Sequence, residues 1–353
     1  LSFLGIGITV LFSALFTKYE GATQHIILWG SLAAIFTGGL GYGIHKHLKH
    51  RPGIQNNGLM RASVTSRGAW GWLIGVILTS FYTLYYFFSH EMESLTRLFD
   101  PLSQMVRGGD AVSWFVYGTL YTVAILIMGI KALVKYRHSR YQMIRTSSIM
   151  GTQLVLAWYI PHWMVKMKQP EFYPSYFWPL EWKGLMPDKV DQLLTLGGMG
   201  QFVVGWAIVM LLIATPFLTY KYGKRWYCSW VCGCGGLANT AGDSWRQLSD
   251  KSVKAWKLER VMIYSILVFA IVMTAVVWAD AKYQYLGGLA KPLKTTYAFV
   301  IGSAFSGVIG VGFYPLLGTR VWCRFGCPMA AILGTIQKFK SKFRITTNGG
   351  QCI

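Results

Sequence analysis

Charge is scarce in this chain of 353 residues: Asp, Glu, Lys and Arg make up 13% of it against 53% hydrophobic residues, which excludes an ordinary soluble globular profile. Acidic residues are scarcer still, 13 against 34 Lys and Arg, leaving a formal charge of +21. Several catalytic signatures are missing. No Walker loop or dinucleotide Gly-rich fingerprint follows a strand pattern, no Ser/His/Asp or zinc-protease arrangement stands out, and no nucleic-acid module accompanies the basic residues. Nucleotide-driven, hydrolytic and nucleic-acid-reading functions are thereby disfavoured. The segment Gly38-Gly-Leu-Gly41-Tyr-Gly43 lies inside an apolar run, where small residues permit close helix packing and cradle no phosphate. The first apolar run has no basic start and no small-residue cleavage pattern, so it reads as a helix and not as a signal peptide.

Apolar length is what the chain has in abundance. A helix needs roughly 20 apolar residues to cross a hydrocarbon core. Eight runs approach that length, at about 1–17, 26–44, 69–88, 112–134, 148–165, 198–220, 260–280 and 295–317. The expected fold is therefore all-α, a polytopic membrane helix bundle of about eight transmembrane helices. Lys and Arg cluster after runs two, four, six and eight, whereas the alternate segments hold as many acids as bases. The positive-inside rule then puts both termini on the cytoplasmic side, with the basic face attracted to anionic headgroups of the lipid bilayer rather than to nucleic acid. The segment 166–197, rich in Pro and Trp, is expected to lie flat at the opposite headgroups as an aromatic belt, or to cap a pocket.

One motif is written twice. Gly223-Lys-Arg225-Trp-Tyr227-Cys228-Ser-Trp-Val-Cys232 returns 95 positions later as Gly318-Thr-Arg320-Val-Trp322-Cys323-Arg-Phe-Gly-Cys327. Each copy follows an apolar run directed toward the cytoplasmic side, so both are expected at that reducing rim, where disulfides are rare and metal ligation is the better reading. The three-residue gap does not exclude zinc. Cys323-Arg-Phe-Gly-Cys327-Pro328, however, has the Cys-x3-Cys-Pro ending of the bacterial ferredoxin run, whose thiolates bind [4Fe–4S] clusters. Two thiols per copy are half of what such a cluster takes, so Cys228, Cys232, Cys323 and Cys327 are expected to converge on one shared [4Fe–4S] cluster. Cys234 is either a spare ligand or a small packed side chain. Arg225 and Arg320, three residues before the first cysteines, would offset the cluster's negative charge or anchor helix ends at the headgroups. Pro216 and Pro315 are expected to kink the helices leading into each pair.

The paired Cys-x3-Cys(-Pro) motifs behind transmembrane helices resemble the membrane polyferredoxin family, of the NapH/NosR/CcoG type. The resemblance covers about 198–353; the first copy departs from it by lacking a Pro after Cys232, and no flavin-attachment sequence is present. It implies a bacterial cytoplasmic-membrane protein passing electrons between quinol, or another redox subunit of a membrane complex, and iron–sulfur or haem proteins. The organisation it suggests is 1–197 as N-terminal transmembrane helices with an outer loop, 198–344 as the duplicated cluster-binding region, and 345–353 as the start of a ferredoxin-like tail. Cys352 would be the first thiol of that tail's ligand run, the sequence then being a fragment. The CcoG type also leaves open a copper-reducing or metal-assembly factor, and the repeat leaves open a transporter with structural cysteines, although ionisable residues inside the runs are few.

Histidine supplies a second set of candidates. His25, His90 and His162 fall at the outer ends of runs two, three and five. Facing imidazoles could bind a haem b, a single one could bind quinone, or all three are interfacial residues. His162-Trp-Met164-Val-Lys-Met167 would also suit soft copper.

Overall fold

The computed structural model describes residues 2–49, 59–284 and 287–342, and every regular element among them is helical. Five helices are long and apolar enough to cross a membrane: Gly21–Leu48, Ser113–Lys135, Gly198–Tyr222, Val253–Tyr283 and Gly288–Gly312. The remaining three predicted runs are also helical. The first is the short apolar helix Ser2–Ser13, the third is Ala69–Phe87, diluted by Trp and Tyr, and the fifth lies within helical backbone running from Arg140 to Lys166.

These helices bury narrow stripes and turn wide apolar faces outward. Phe202, Leu212, Ile213 and Phe217 on one helix, and Val261, Val268 and Ile271 on another, are exposed. Water would penalise such surfaces, whereas lipid does not; the molecule is a membrane protein in which backbone polar groups are satisfied within helices. Without a hydrophobic drive between helices, close approach matters more, and glycine provides it. A Cβ on Gly38 would meet the Leu4 backbone nitrogen at 2.4 Å, and one on Gly39 would meet Ile127 Cγ2 at 2.7 Å. The glycine stripe thus lets Gly21–Leu48 pack against Ser2–Ser13 on one side and Ser113–Lys135 on the other.

Two apolar cores result. Leu28, Leu95, Phe99 and Phe115 belong to the N-terminal one, and Phe177, Tyr227, Ala270, Met273 and Met329 to the C-terminal one. Ile125, Ile149, Leu237 and Tyr314 form a third cluster with residues from both halves. A buried ion pair reinforces that junction: Lys135 Nζ lies 2.5 Å from Asp243 Oδ2, while Tyr136 donates to Oδ1 at 2.8 Å and Arg246 approaches the same oxygen at 3.1 Å. Burial pushes the Asp243 carboxyl up, but Lys135, Tyr136 and Arg246 outweigh it and hold the group below its ordinary range. The carboxylate's contribution is therefore complete above the unfolded-state value and is lost as pH falls through the lower folded-state value. Lys135→Met leaves the buried carboxylate with only the more exposed Arg246 and the Tyr136 hydroxyl, and is expected to cost about 3 kcal/mol at neutral pH, the low end for breaking a buried pair. Thermal unfolding in detergent should show that loss, and the variant's melting temperature should fall less than the wild type's on acidification.

Candidate metal centre

Each cysteine pair is set by the same local geometry. The helix Thr215–Tyr222 stops at Gly223, whose φ of 70° and ψ of 173° are closed to other residues, and Gly223 N–H bonds back to the Thr219 carbonyl at 2.9 Å. In the second copy Tyr314–Leu317 stops at Gly318 with φ 81° and ψ 176°, and its N–H bonds to Tyr314 at 3.1 Å. Both glycines turn the chain back on its incoming helix. Trp226 accordingly reaches Thr219 Oγ1 with its indole N–H at 3.0 Å. A short helical turn then places the cysteines four residues apart on one face. The second cysteine of each pair closes that turn in the same wide register: Cys232 N–H bonds to the Tyr227 carbonyl, and Cys327 N–H to that of Trp322, both at 2.9 Å. Each of these cysteines also heads the next helix, Gly233–Asn239 or Pro328–Lys340. Wide turns at Met210–Ala214 and Tyr297–Gly312 precede Pro216 and Pro315, where the missing N–H breaks the regular ladder.

The reversals bring the two copies together. Cys232 and Cys327 are buried members of one side-chain cluster, with Cys228, Cys234 and Cys323 packed against it. Burial pushes the Cys228 thiol up to about 11 and the Cys323 thiol higher, each opposed by Arg320. Cys232 is drawn down to about 7 by the Cys234 side chain, against burial, with help from the N–H groups of Gly235 and Cys234. Among the described residues no three metal-capable side chains gather closely enough for a single ion. Soft thiols gathered in one buried cluster of side chains, with backbone amides directed at Cys232, fit a multinuclear cluster better than a mononuclear zinc site.

The two arginines are not equivalent. Arg320 takes a left-handed backbone (φ 69°), is half-buried, and donates to Asn239 Oδ1 at 2.7 Å, joining the second copy to the helix that follows Cys232. Its charge acts on Cys228, Cys232 and Cys323. Arg225 acts on Cys228 and Cys323 from an exposed position.

The turns pack against other helices. Gln153 Nε2 donates to the Val231 carbonyl at 2.8 Å, and a Cβ on Gly233 would meet the Tyr176 hydroxyl, Gln153 Oε1 and the Tyr121 hydroxyl within 2.4–2.7 Å. Gly223 and Gly318 fold the thiols back against the neighbouring helices. The segment 166–197 does not lie flat. Phe177 is buried with its ring 5.6 Å from that of Tyr227, and the Tyr227 hydroxyl donates to the Ser175 carbonyl at 2.8 Å. Nothing in the spacing of that segment revealed this inward course; its alternation of Tyr, Phe and Trp was the available signal.

The histidines stand apart from this centre. His25 and His90 are exposed, whereas His162 is buried edge-on against Phe115 and Trp158, with Nδ1 unpaired. Met164 is buried and Met167 exposed, so the copper set is divided between two environments. Cys352 lies outside the described residues.

A 4Fe–4S binding domain matches the chain twice, over residues 204–254 and 300–346. Both cysteine turns fall inside those matches. The protein of Escherichia coli (strain K12) provisionally named electron transport protein YccM is 27% identical over 164 residues, 44% of this chain and 45% of that protein. The chain thus aligns with a little under half the length of this relative. No solved structure matches. Together with the site's geometry, these matches support a membrane-embedded iron–sulfur protein with an electron-transfer role.

Proposed function

We propose that the chain is a membrane-bound electron-transfer subunit of the NapH/NosR/CcoG type, with Cys228, Cys232, Cys323 and Cys327 holding one [4Fe–4S] cluster between the two copies of its repeat. When bound, such a cluster supplies one-electron exchange. The observation that carries the reading is that cysteines from two matched turns share one buried cluster of side chains, Cys232 and Cys327 within it and Cys228 and Cys323 packed against it. Tyr227 and Trp322, each one residue before its first cysteine, are buried and limit the entry of water. The amides of Cys234 and Gly235 donate toward Cys232 sulfur. The donor side would be quinol or a membrane redox subunit, and the acceptors iron–sulfur or haem proteins, in a bacterial cytoplasmic membrane with cytoplasmic termini. The divisions 1–197, 198–344 and 345–353, with Cys352 serving a ferredoxin-like tail, belong to the same proposal.

Iron and acid-labile sulfide in equal amounts, near four of each per chain for one cubane, with a reducible EPR signal, are the expected result on purified protein. Copper or zinc in place of iron would end the reading. Arginine tuning gives a finer test. A fixed charge beside thiolates favours the reduced state, and a half-buried guanidinium is screened less than an exposed one. Arg320→Gln is therefore expected to lower the cluster's midpoint potential clearly more than Arg225→Gln does, by EPR-monitored redox titration. Equal shifts would show that burial of Arg320 is irrelevant to the cluster.

A further inference from the structure

Four arginines from three basic segments meet beside the first cysteine turn. Arg145 comes from the helix Arg140–Gly151, Arg225 opens the helix Arg225–Trp230, Arg246 lies in the turn Ala241–Leu248, and Arg320 follows the reversal at Gly318. Packing draws them together. The helices Arg225–Trp230 and Gly233–Asn239 both lie against Arg140–Gly151. Ser148 Oγ donates to the Trp230 carbonyl at 3.2 Å, and the rings of Tyr141 and Trp230 are 5.8 Å apart. Arg320 is tied to the same place by its bond to Asn239, the last residue of Gly233–Asn239. The charges of Arg225 and Arg246 consequently act on Arg145 and on Arg320 alike.

This group holds more positive charge than its surroundings balance. Among the described residues Asp243 is the one carboxylate paired with any of the four, and Arg246 shares it with Lys135. Arg320 bonds a neutral amide. Arg145 is the extreme case. It is 8% exposed, its Nε is closed to solvent without a hydrogen-bond partner, and the Tyr141 ring, 5.9 Å away, is what its guanidinium faces. A buried guanidinium without a carboxylate is costly, and here burial first, then the charges of Arg246 and Arg225, work against it. A second donor is idle nearby: Asn239 is buried and gives its Oδ1 to Arg320, which leaves Nδ2 unpaired. The thiols do not resolve this surplus. Arg320 feels Cys323 and Cys228, whereas the groups acting most strongly on Arg145 are Tyr141, Arg246, Arg225 and Tyr136, none of them a thiol.

We propose that Arg145, Arg225, Arg320 and Asn239 form a binding site for a phosphate group on the basic side of the bundle. A guanidinium presents a planar fork of N–H donors that matches phosphate oxygens two at a time. Three such forks and an amide donor supply what a phosphate accepts, and its negative charge offsets the surplus. Arg225 and Arg246 are exposed, so the group is open to solvent on one side, with Arg145 and Asn239 at its buried end. Two sources share this chemistry: inorganic phosphate or a phosphate ester in solution, and the phosphate of an anionic lipid headgroup. Diffuse attraction of a basic face to headgroups is different, because it needs no buried arginine. The site stands independently of the iron–sulfur reading.

The test uses the full protein as purified, in delipidated detergent and in nanodiscs. Inorganic phosphate and pyrophosphate are titrated at an ionic strength matched with chloride, and thermal unfolding is followed. At about a hundredfold excess over the dissociation constant, the wild type is expected to melt about 5 °C higher than in chloride. A rise given by cardiolipin or phosphatidylglycerol nanodiscs over phosphatidylcholine ones, and not by the soluble anions, supports the site and makes its occupant a lipid phosphate. No rise from any of these probes, or an equal rise from chloride, would overturn the proposal. Arg145→Met separates binding from a structural role. It removes an unpaired buried charge, so in phosphate-free detergent it is expected to melt at or above the wild-type temperature, with affinity for the effective probe reduced about tenfold or more. A variant that melts lower and still binds would make Arg145 structural and end the proposal. Arg260→Gln, which alters an exposed arginine stacked 4.0 Å over Trp256, should bind like the wild type. Equal weakening by that change would reduce the site to diffuse attraction. Metal lost from a well-folded Arg145→Met would assign the arginine to the thiols instead.

Discussion

Cys323→Ser is expected to strip the purified protein of its iron and acid-labile sulfide, to a tenth or less of the wild-type content, and to abolish the reduced-state EPR signal. The hydroxyl of serine stays protonated at neutral pH and is a far poorer partner for iron than a thiolate, and the three remaining cysteines of the set leave one corner of a cubane unfilled. The side chain is half-buried and the replacement nearly isosteric, so the helices should remain, although melting should move down because metal binding and folding share free energy. Cys228→Ser, Cys232→Ser and Cys327→Ser should behave alike. Cys234→Ser is the control. Its matched position in the second copy is Met329, fully buried and incapable of thiolate ligation, so the variant is expected to keep its iron. Iron lost from Cys234→Ser and kept by Cys323→Ser would show that the ligand set has been assigned wrongly.

Gly235→Ala should be nearly as damaging without touching a ligand. A Cβ there would stand 1.6 Å from the Cys228 carbonyl oxygen and 2.7 Å from its carbonyl carbon, both backbone atoms that cannot swing away. Overpacking in a core usually costs about 1–3 kcal/mol, relieved by side-chain movement. Here relief requires the Arg225–Trp230 turn to separate from Gly233–Asn239, which would pull Cys228 away from Cys232. The expected cost is about 4 kcal/mol or more, the exceptional range for one substitution, with a parallel loss of iron. Gly205→Ala, on the Gly198–Val209 helix with open space around it, is the matched comparison and should be neutral or slightly stabilising. If both variants melt alike and retain iron, the close approach at Gly235 does not shape the centre.

Much of this was legible beforehand because it depends on local chemistry. Helices in lipid must satisfy their own backbone, so long apolar stretches such as 198–220 and 260–280 announce themselves by composition. The cysteine turns could be found because ligation demands particular side chains at particular spacing. The small-residue stripe at Gly38, Gly39 and Gly43 was correctly assigned to packing, since a Cβ at each would meet a neighbouring helix. Other features were hidden. Arg225 and Arg320 look equivalent in the repeat, yet only Arg320 has the left-handed backbone and the Asn239 partner that half-bury it. His162 reads as an interfacial residue; Trp158 is its own neighbour one turn back, but its burial against Phe115 depends on a helix distant in sequence. The segment 166–197 has the composition of an aromatic belt, and its composition is indifferent to whether Phe177 meets headgroups or Tyr227.

The sequence alone determined the solvent, the helical class and the identity of the metal-capable side chains, because apolar length, charge bias and thiol spacing act within a few turns of the chain. Only the tertiary structure decided where the thiols lie. Gly223 and Gly318 permit a reversal, but what each turn packs against is set by contacts with Gln153, Tyr121 and Ser175, contributed by three other segments. Such packing is a sum of long-range choices, and no local pattern of residues encodes it.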